Sequence, residues 1–111
     1  MKEITIDYNG EKKDLIARMD RYYLDDTLAI QLFERYYDEK YDCEVEEPFG
    51  TLTVNMDDPH QDDTHAFVKA YGENKSWAEA AATALGGKPT GIWMPAGYVE
   101  VQLWEFPNFF N

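Results

Sequence analysis

Between Asp57 and His65 the chain carries Asp57, Asp58, His60, Asp62, Asp63 and His65, six side chains able to ligate a metal within nine positions. Carboxylates suit calcium, magnesium or manganese, and imidazoles suit zinc or nickel. Asp57, His60, Asp62 and His65 are the candidate ligands. Their spacing lacks the glycine and closing glutamate of a calcium-binding loop and matches no zinc protease motif. Aspartate and proline also fill solvated turns for reasons of backbone conformation alone, so the expectation is a polar loop with no metal and no cofactor.

Nucleophilic chemistry has less to work with. Cys43 is the lone cysteine, and Asp42 and Glu44 beside it disfavour the thiolate that a nucleophile requires. There is no serine nucleophile elbow, phosphate-cradling loop or metalloprotease helix motif, and Gly86, Gly87 and Gly91 read as a helix stop and a turn. The expectation is that the protein is not an enzyme.

A third constellation concerns binding. Glu34, Asp38, Glu39, Asp42, Glu44, Glu46 and Glu47 interleave with Tyr36, Tyr37 and Tyr41. On a strand, acidic residues two apart lie roughly 6.6 Å from one another on one face. A row of this kind competes with nucleic acid for a basic groove and speeds association with it. Tyrosines supply apolar area with a hydrogen-bonding tip, the usual anchors of an interface. These ten residues are the expected partner-binding set; the plainer alternative is a solubilising surface.

The elements that must present these groups are mostly strands. Glu3 to Tyr8 alternates apolar and polar residues and runs into the hairpin signal Asn9-Gly10. Lys12 to Met19 forms the return strand, with Leu15, Ala17 and Met19 on one side. Leu28 to Phe33 alternates as a third strand, although Leu28, Leu32 and Tyr36 also fit a helix over residues 27 to 41. Residues 34 to 47 read as an exposed connection, Thr51 to Met56 as a fourth strand, and His65 to Tyr71 as a fifth. Ser76 is placed to cap an alanine-rich helix over Trp77 to Leu85, stopped by Gly86-Gly87. Pro89, Gly91, Pro95 and Gly97 suggest a loop before a last strand at Tyr98 to Glu105. Of the terminal aromatics, Phe109 and Phe110 are the hardest to bury and would mark a docking edge or dimer contact. The pattern predicts α+β: mainly antiparallel sheet of about five to six strands with one short α-helix packed on it.

Composition narrows the partners. At 111 residues, a single domain spanning residues 1 to 111 is the expectation. Hydrophobic residues at 44% supply enough apolar surface to fold despite a net charge of -12. That charge repels nucleic acid and anionic lipid, so neither DNA, RNA nor membrane is an expected direct partner. One cysteine cannot form an internal disulfide, and no run approaches about 18 apolar residues. A cytoplasmic location follows as the expectation, with a homodimer left open.

The segments Leu28-Ala29-Ile30-Gln31-Leu32, Pro48-Phe49-Gly50-Thr51-Leu52-Thr53-Val54-Asn55, Ala66-Phe67-Val68, Trp77-Ala78 and Gly86-Gly87-Lys88-Pro89-Thr90-Gly91 together resemble bacterial domain-of-unknown-function family 4313. The likeness runs over roughly residues 25 to 106. It implies a protein of integrative and conjugative elements of Gram-positive gut bacteria, and supplies no reaction. Taken with the charge, the expectation is a mobile-element protein that binds a basic, nucleic-acid-binding protein as a nucleic-acid mimic, inhibiting a host restriction or CRISPR-type defence complex. The alternatives are an accessory conjugative-element protein without inhibitory activity, and a metal-dependent small-ligand binder at Asp57 to His65.

Overall fold

Hairpin turns and alternating apolar residues build the fold, a computed structural model describing residues 1–111, of eight strands, one α-helix and a single 3-10 turn at Gly72–Asn74. The strands are β1 (Lys2–Tyr8), β2 (Glu11–Arg21), β3 (Leu28–Asp38), β4 (Cys43–Thr51), β5 (Thr53–Val54), β6 (His65–Val68), β7 (Lys88–Ala96) and β8 (Val99–Glu105), and the helix α1 is Ala78–Ala84. They form two antiparallel four-stranded sheets, ordered β1-β2-β3-β4 and β5-β6-β8-β7. The α+β class is as expected, with more strand than the sequence suggests.

Helix and strand compete over residues 27 to 41, and strand wins. Leu28, Ile30 and Leu32 are all fully buried with period two, whereas Tyr36, on the helical spacing, is exposed. β2 is longer than expected, and Ile16, which blurs its alternation, is buried on the face opposite Leu15 and Ala17, next to Phe33.

Two expected loops are strands. Residues 43 to 51 form β4, because the turn at residues 39 to 42 folds them back onto β3, with Asp38 opposite Cys43. The expected fourth strand shrinks to Thr53–Val54 in the other sheet. β7 likewise runs through Pro89, Gly91 and Pro95. It is an edge strand, where a missing N–H is tolerated, and Gly91 (φ +83°) sits in the register shift between Pro89 and Trp93.

The helix starts one residue late, and Ser76 does not cap it. Trp77 occupies the N-cap position without a side-chain cap bond. Its indole N–H donates to the Glu73 carbonyl (3.1 Å) and its ring packs on Phe49 at 5.0 Å between centroids. Tertiary anchoring of the indole therefore sets where the helix begins. The stop is as read: Gly86 has φ +84°, and the N–H groups of Gly86 and Gly87 return to Thr83 and Ala82.

Alanines on α1 permit close approach to Ile4, Ile6 and Leu15 of the first sheet and to Ala66, Val68 and Trp104 of the second. Leu52 joins the sheets: its N–H donates to Ile30, its carbonyl accepts from Lys69, and Thr53 Oγ1 accepts from the Ile30 N–H. Phe67, Val101 and Leu103 form a smaller cluster apart from this core. Val101 and Leu103 of β8 point inward, whereas Val99 is exposed near the tip of the β7–β8 hairpin.

Candidate functional site

The acidic tyrosine segment is not a slack connection but the far half of the β3–β4 hairpin. Register between β2 and β3 ends at Ile16 opposite Phe33, while β3 continues to Asp38 paired only with β4. At the root of this arm the register shifts between Leu32 and Phe33, leaving Phe49 unmatched. Such a bulge bends a strand and increases its twist, and here the spare residue packs its ring between Tyr8 and Trp77.

All ten sequence-derived binding residues lie on this arm, but on different sides of it. Tyr37, Glu44 and Glu46 share one face with Arg35; Glu34, Tyr36, Asp38 and Glu47 occupy the other with Val45. Glu39, Tyr41 and Asp42 are at the turn. Tyr36, Tyr37 and Tyr41 are 42%, 54% and 68% exposed, so none of the rings is committed to the core.

The carboxylates are unequal. Glu46 receives Arg35 Nη2 at 3.0 Å and also bonds Arg18, and the Arg35 guanidinium holds its pKa below the usual glutamate value. Lys13 pairs with Glu34 at 2.9 Å. Glu47 accepts from the Tyr36 hydroxyl at 2.9 Å, which raises the phenol pKa. Asp38 accepts from the Lys40 N–H within the turn. Glu44 lies 4.0 Å from Arg35, while Glu39 and Asp42 form no ion pair. Free negative charge is therefore concentrated at the tip and along the start of β4.

Arg18 and Arg35 are the residues the sequence reading overlooked. Their partnership with Glu46 depends on β3–β4 register and on Arg18 stacking over Phe33 at 4.5 Å. Arg35 could have been noticed as the one guanidinium inside the acidic run, although nothing in the sequence aligns it with Glu46.

The Asp57 to His65 loop is organised by its own bonds. Asp58 accepts from the His60 N–H and contacts His60 Nδ1 at 2.6 Å. Asp62 takes the N–H groups of Thr64 and His65 together with His65 Nδ1, and His65 Nε2 lies 3.4 Å from Glu105. These bonds hold both aspartates below their ordinary pKa, in Asp62 against the opposing effect of burial. Asp57 adopts φ +52° and donates its N–H to Asn55, Asp63 pairs with Arg21, and buried Gln61 bridges Asn55, Thr27 and Met56. No three His, Cys, Asp or Glu side chains converge as metal ligands.

Cys43 is exposed at the start of β4. Phe109 and Phe110 are not free aromatics: Phe109 packs on Phe106 at 6.3 Å and Arg21 stacks over Phe110 at 3.9 Å. Away from the arm, the exposed aromatics are Trp93 and Tyr98 of the β7–β8 hairpin and Tyr23 of the β2–β3 turn. No helix is long and apolar enough to cross a membrane. Compared with protein-family models, curated proteins and solved structures, the chain finds no match.

Proposed function

We propose that this chain is a non-enzymatic protein-binding module that uses the β3–β4 arm to occupy a basic, nucleic-acid-binding surface on a partner protein. The observation that carries the reading is the arm itself. Two strands with no third beside them present seven carboxylates against two cations over residues 34 to 47, with three exposed tyrosines among them.

A surface that binds DNA or RNA presents lysine and arginine to phosphates, and negative charge placed there displaces nucleic acid. The arm's own ion pairs keep it from being uniformly anionic. Glu34 and Glu46 fasten the arm to β2 through Lys13 and Arg18, whereas Glu39, Asp42 and Glu44 remain to meet the partner. Tyr37 and Tyr41 supply the apolar anchors. The resemblance to the mobile-element family makes a restriction or CRISPR-type defence complex the partner class to test first.

The test combines affinity capture from the native cell, identified by mass spectrometry, with displacement of labelled DNA from the captured protein. The substitutions Glu39→Gln, Asp42→Asn and Glu44→Gln together are expected to abolish both capture and displacement in low salt while the fold persists. Unchanged capture of the same partner by that triple variant would remove the arm from consideration.

A further inference from the structure

Two four-stranded sheets leave four strand edges, and only one has an uninterrupted open stretch. β5 has two residues, and β7 is interrupted by Pro89, Pro95 and the irregularity at Gly91. β1 is flanked by α1, whose Glu79 and Thr83 line a groove beside Thr5 and Asp7. β4 pairs with β3 alone. Its far end is closed, since Asn74 Nδ2 donates to the Thr51 carbonyl at 2.7 Å and Trp77 lies over Gly50. From Cys43 to Glu47 nothing covers it, and this stretch contains no proline.

An open edge offers a row of unpaired N–H and C=O groups to another extended chain. We propose that the outer edge of β4 from Cys43 to Glu47 is a strand-addition site for an extended, lysine- and arginine-bearing segment of the partner. Main-chain hydrogen bonds would supply affinity and alternate side chains the specificity. Charge selects the occupant. Glu44, Glu46 and Glu47 stand in this five-residue stretch, where only Glu46 is closely paired, with Arg18 and Arg35, and Glu39 and Asp42 stand at its approach. A basic strand laid along it places cations directly across from carboxylates. A second copy does the opposite: two β4 edges paired antiparallel about Val45 set Glu44 of each against Glu46 of the other, like charge against like.

This inference rests on the proposed basic-partner reading and adds how the partner is held. Its test uses Cys43, the only cysteine and exposed, to carry a fluorophore at the end of the strand. The labelled protein is titrated in low salt with a peptide of about ten residues alternating lysine and threonine. A second peptide has the same sequence and charge but is N-methylated at consecutive central amides, so that it cannot form a ladder from either edge. The expected result is binding of the first peptide and at least about tenfold weaker binding of the second, from the loss of a few main-chain bonds.

Equal binding by the two would overturn strand addition and leave the electrostatic reading standing; binding by neither would overturn both. Hydrogen exchange locates the peptide. Slowed exchange within Cys43–Glu47 supports the assignment, and slowing confined to β1 or β7 overturns it. Sedimentation showing that the protein alone dimerises through β4, with exchange at these amides slowed as concentration rises, would give the edge to a second copy and overturn the basic-peptide proposal.

Discussion

Gly50 shows how much one side chain can demand. A Cβ there would sit 2.5 Å from Cζ2 of Trp77, and Trp77 cannot retreat without losing its bond to Glu73 and its packing on Phe49. Gly50→Ala should therefore lower stability by about 1–3 kcal/mol, as overpacking does, read from the urea midpoint at constant m-value. Tyr22 carries a pH signature. Burial raises its pKa above 10.0, and its hydroxyl lies 2.8 Å from Thr53 Oγ1. A group with a raised folded pKa contributes stability that is complete below its unfolded pKa and is lost as pH rises toward the folded one. Melting temperature should fall through the tyrosine range, and Tyr22→Phe should flatten that alkaline slope; an identical slope in the variant would exonerate this phenol.

At the scale of the element, the arm is held by charge where the rest of the fold is held by burial. Beyond Phe33 no residue of β3 or β4 on the arm belongs to the core. Glu46 ties β4 to both β3 and β2 through Arg35 and Arg18. Exposed pairs contribute little to global stability, so Glu46→Gln should leave the urea midpoint almost unmoved. Its effect should appear locally, as faster amide exchange along residues 34 to 38. A large loss of global stability would instead mean that the arm folds as one unit with the sheets. The core behaves differently: Leu52→Ala, at the junction of the sheets, should cost about 2–5 kcal/mol, because Leu52 is fully buried in the main cluster.

The whole molecule carries a net charge of -12, which opposes compaction. Melting temperature should rise as salt is added from low ionic strength, since screening relieves self-repulsion; a flat or falling response would show that internal ion pairs outweigh it. Acid acts through particular groups. The pKa of Asp25 is lowered chiefly by the Thr27 hydroxyl, that of Asp58 by the His60 N–H, and that of Glu73 by its own backbone N–H. Asp62 and Glu46 are also held low. Groups with depressed folded pKa values give stability that is present above the ordinary carboxylate range and is lost as pH falls through the lowered values. In screening salt, thermal melts should therefore decline on acidification below the range of 3.8 to 4.5 that these groups show unperturbed.

Local grammar alone determined a good part of this protein. Asn9-Gly10 gave the first hairpin because only residues tolerant of positive φ can close so tight a turn, and both adopt it (φ 52° and 82°). Alternation from Leu28 to Leu32 and the glycine stop after Leu85 were legible for the same reason: sterics and burial act over a few residues. Tertiary pairing decided the rest. Cys43 to Glu47 has no strand signal of its own and is extended because β3 supplies its hydrogen bonds, and β7 accepts two prolines because nothing lies beyond its edge. The ten acidic and tyrosine positions could be named from the sequence, but which carboxylates are spent on Lys13, Arg18 and Arg35 depends on register. Register is set by long-range pairing and by the residue skipped at Phe49, and neither is written in any local pattern.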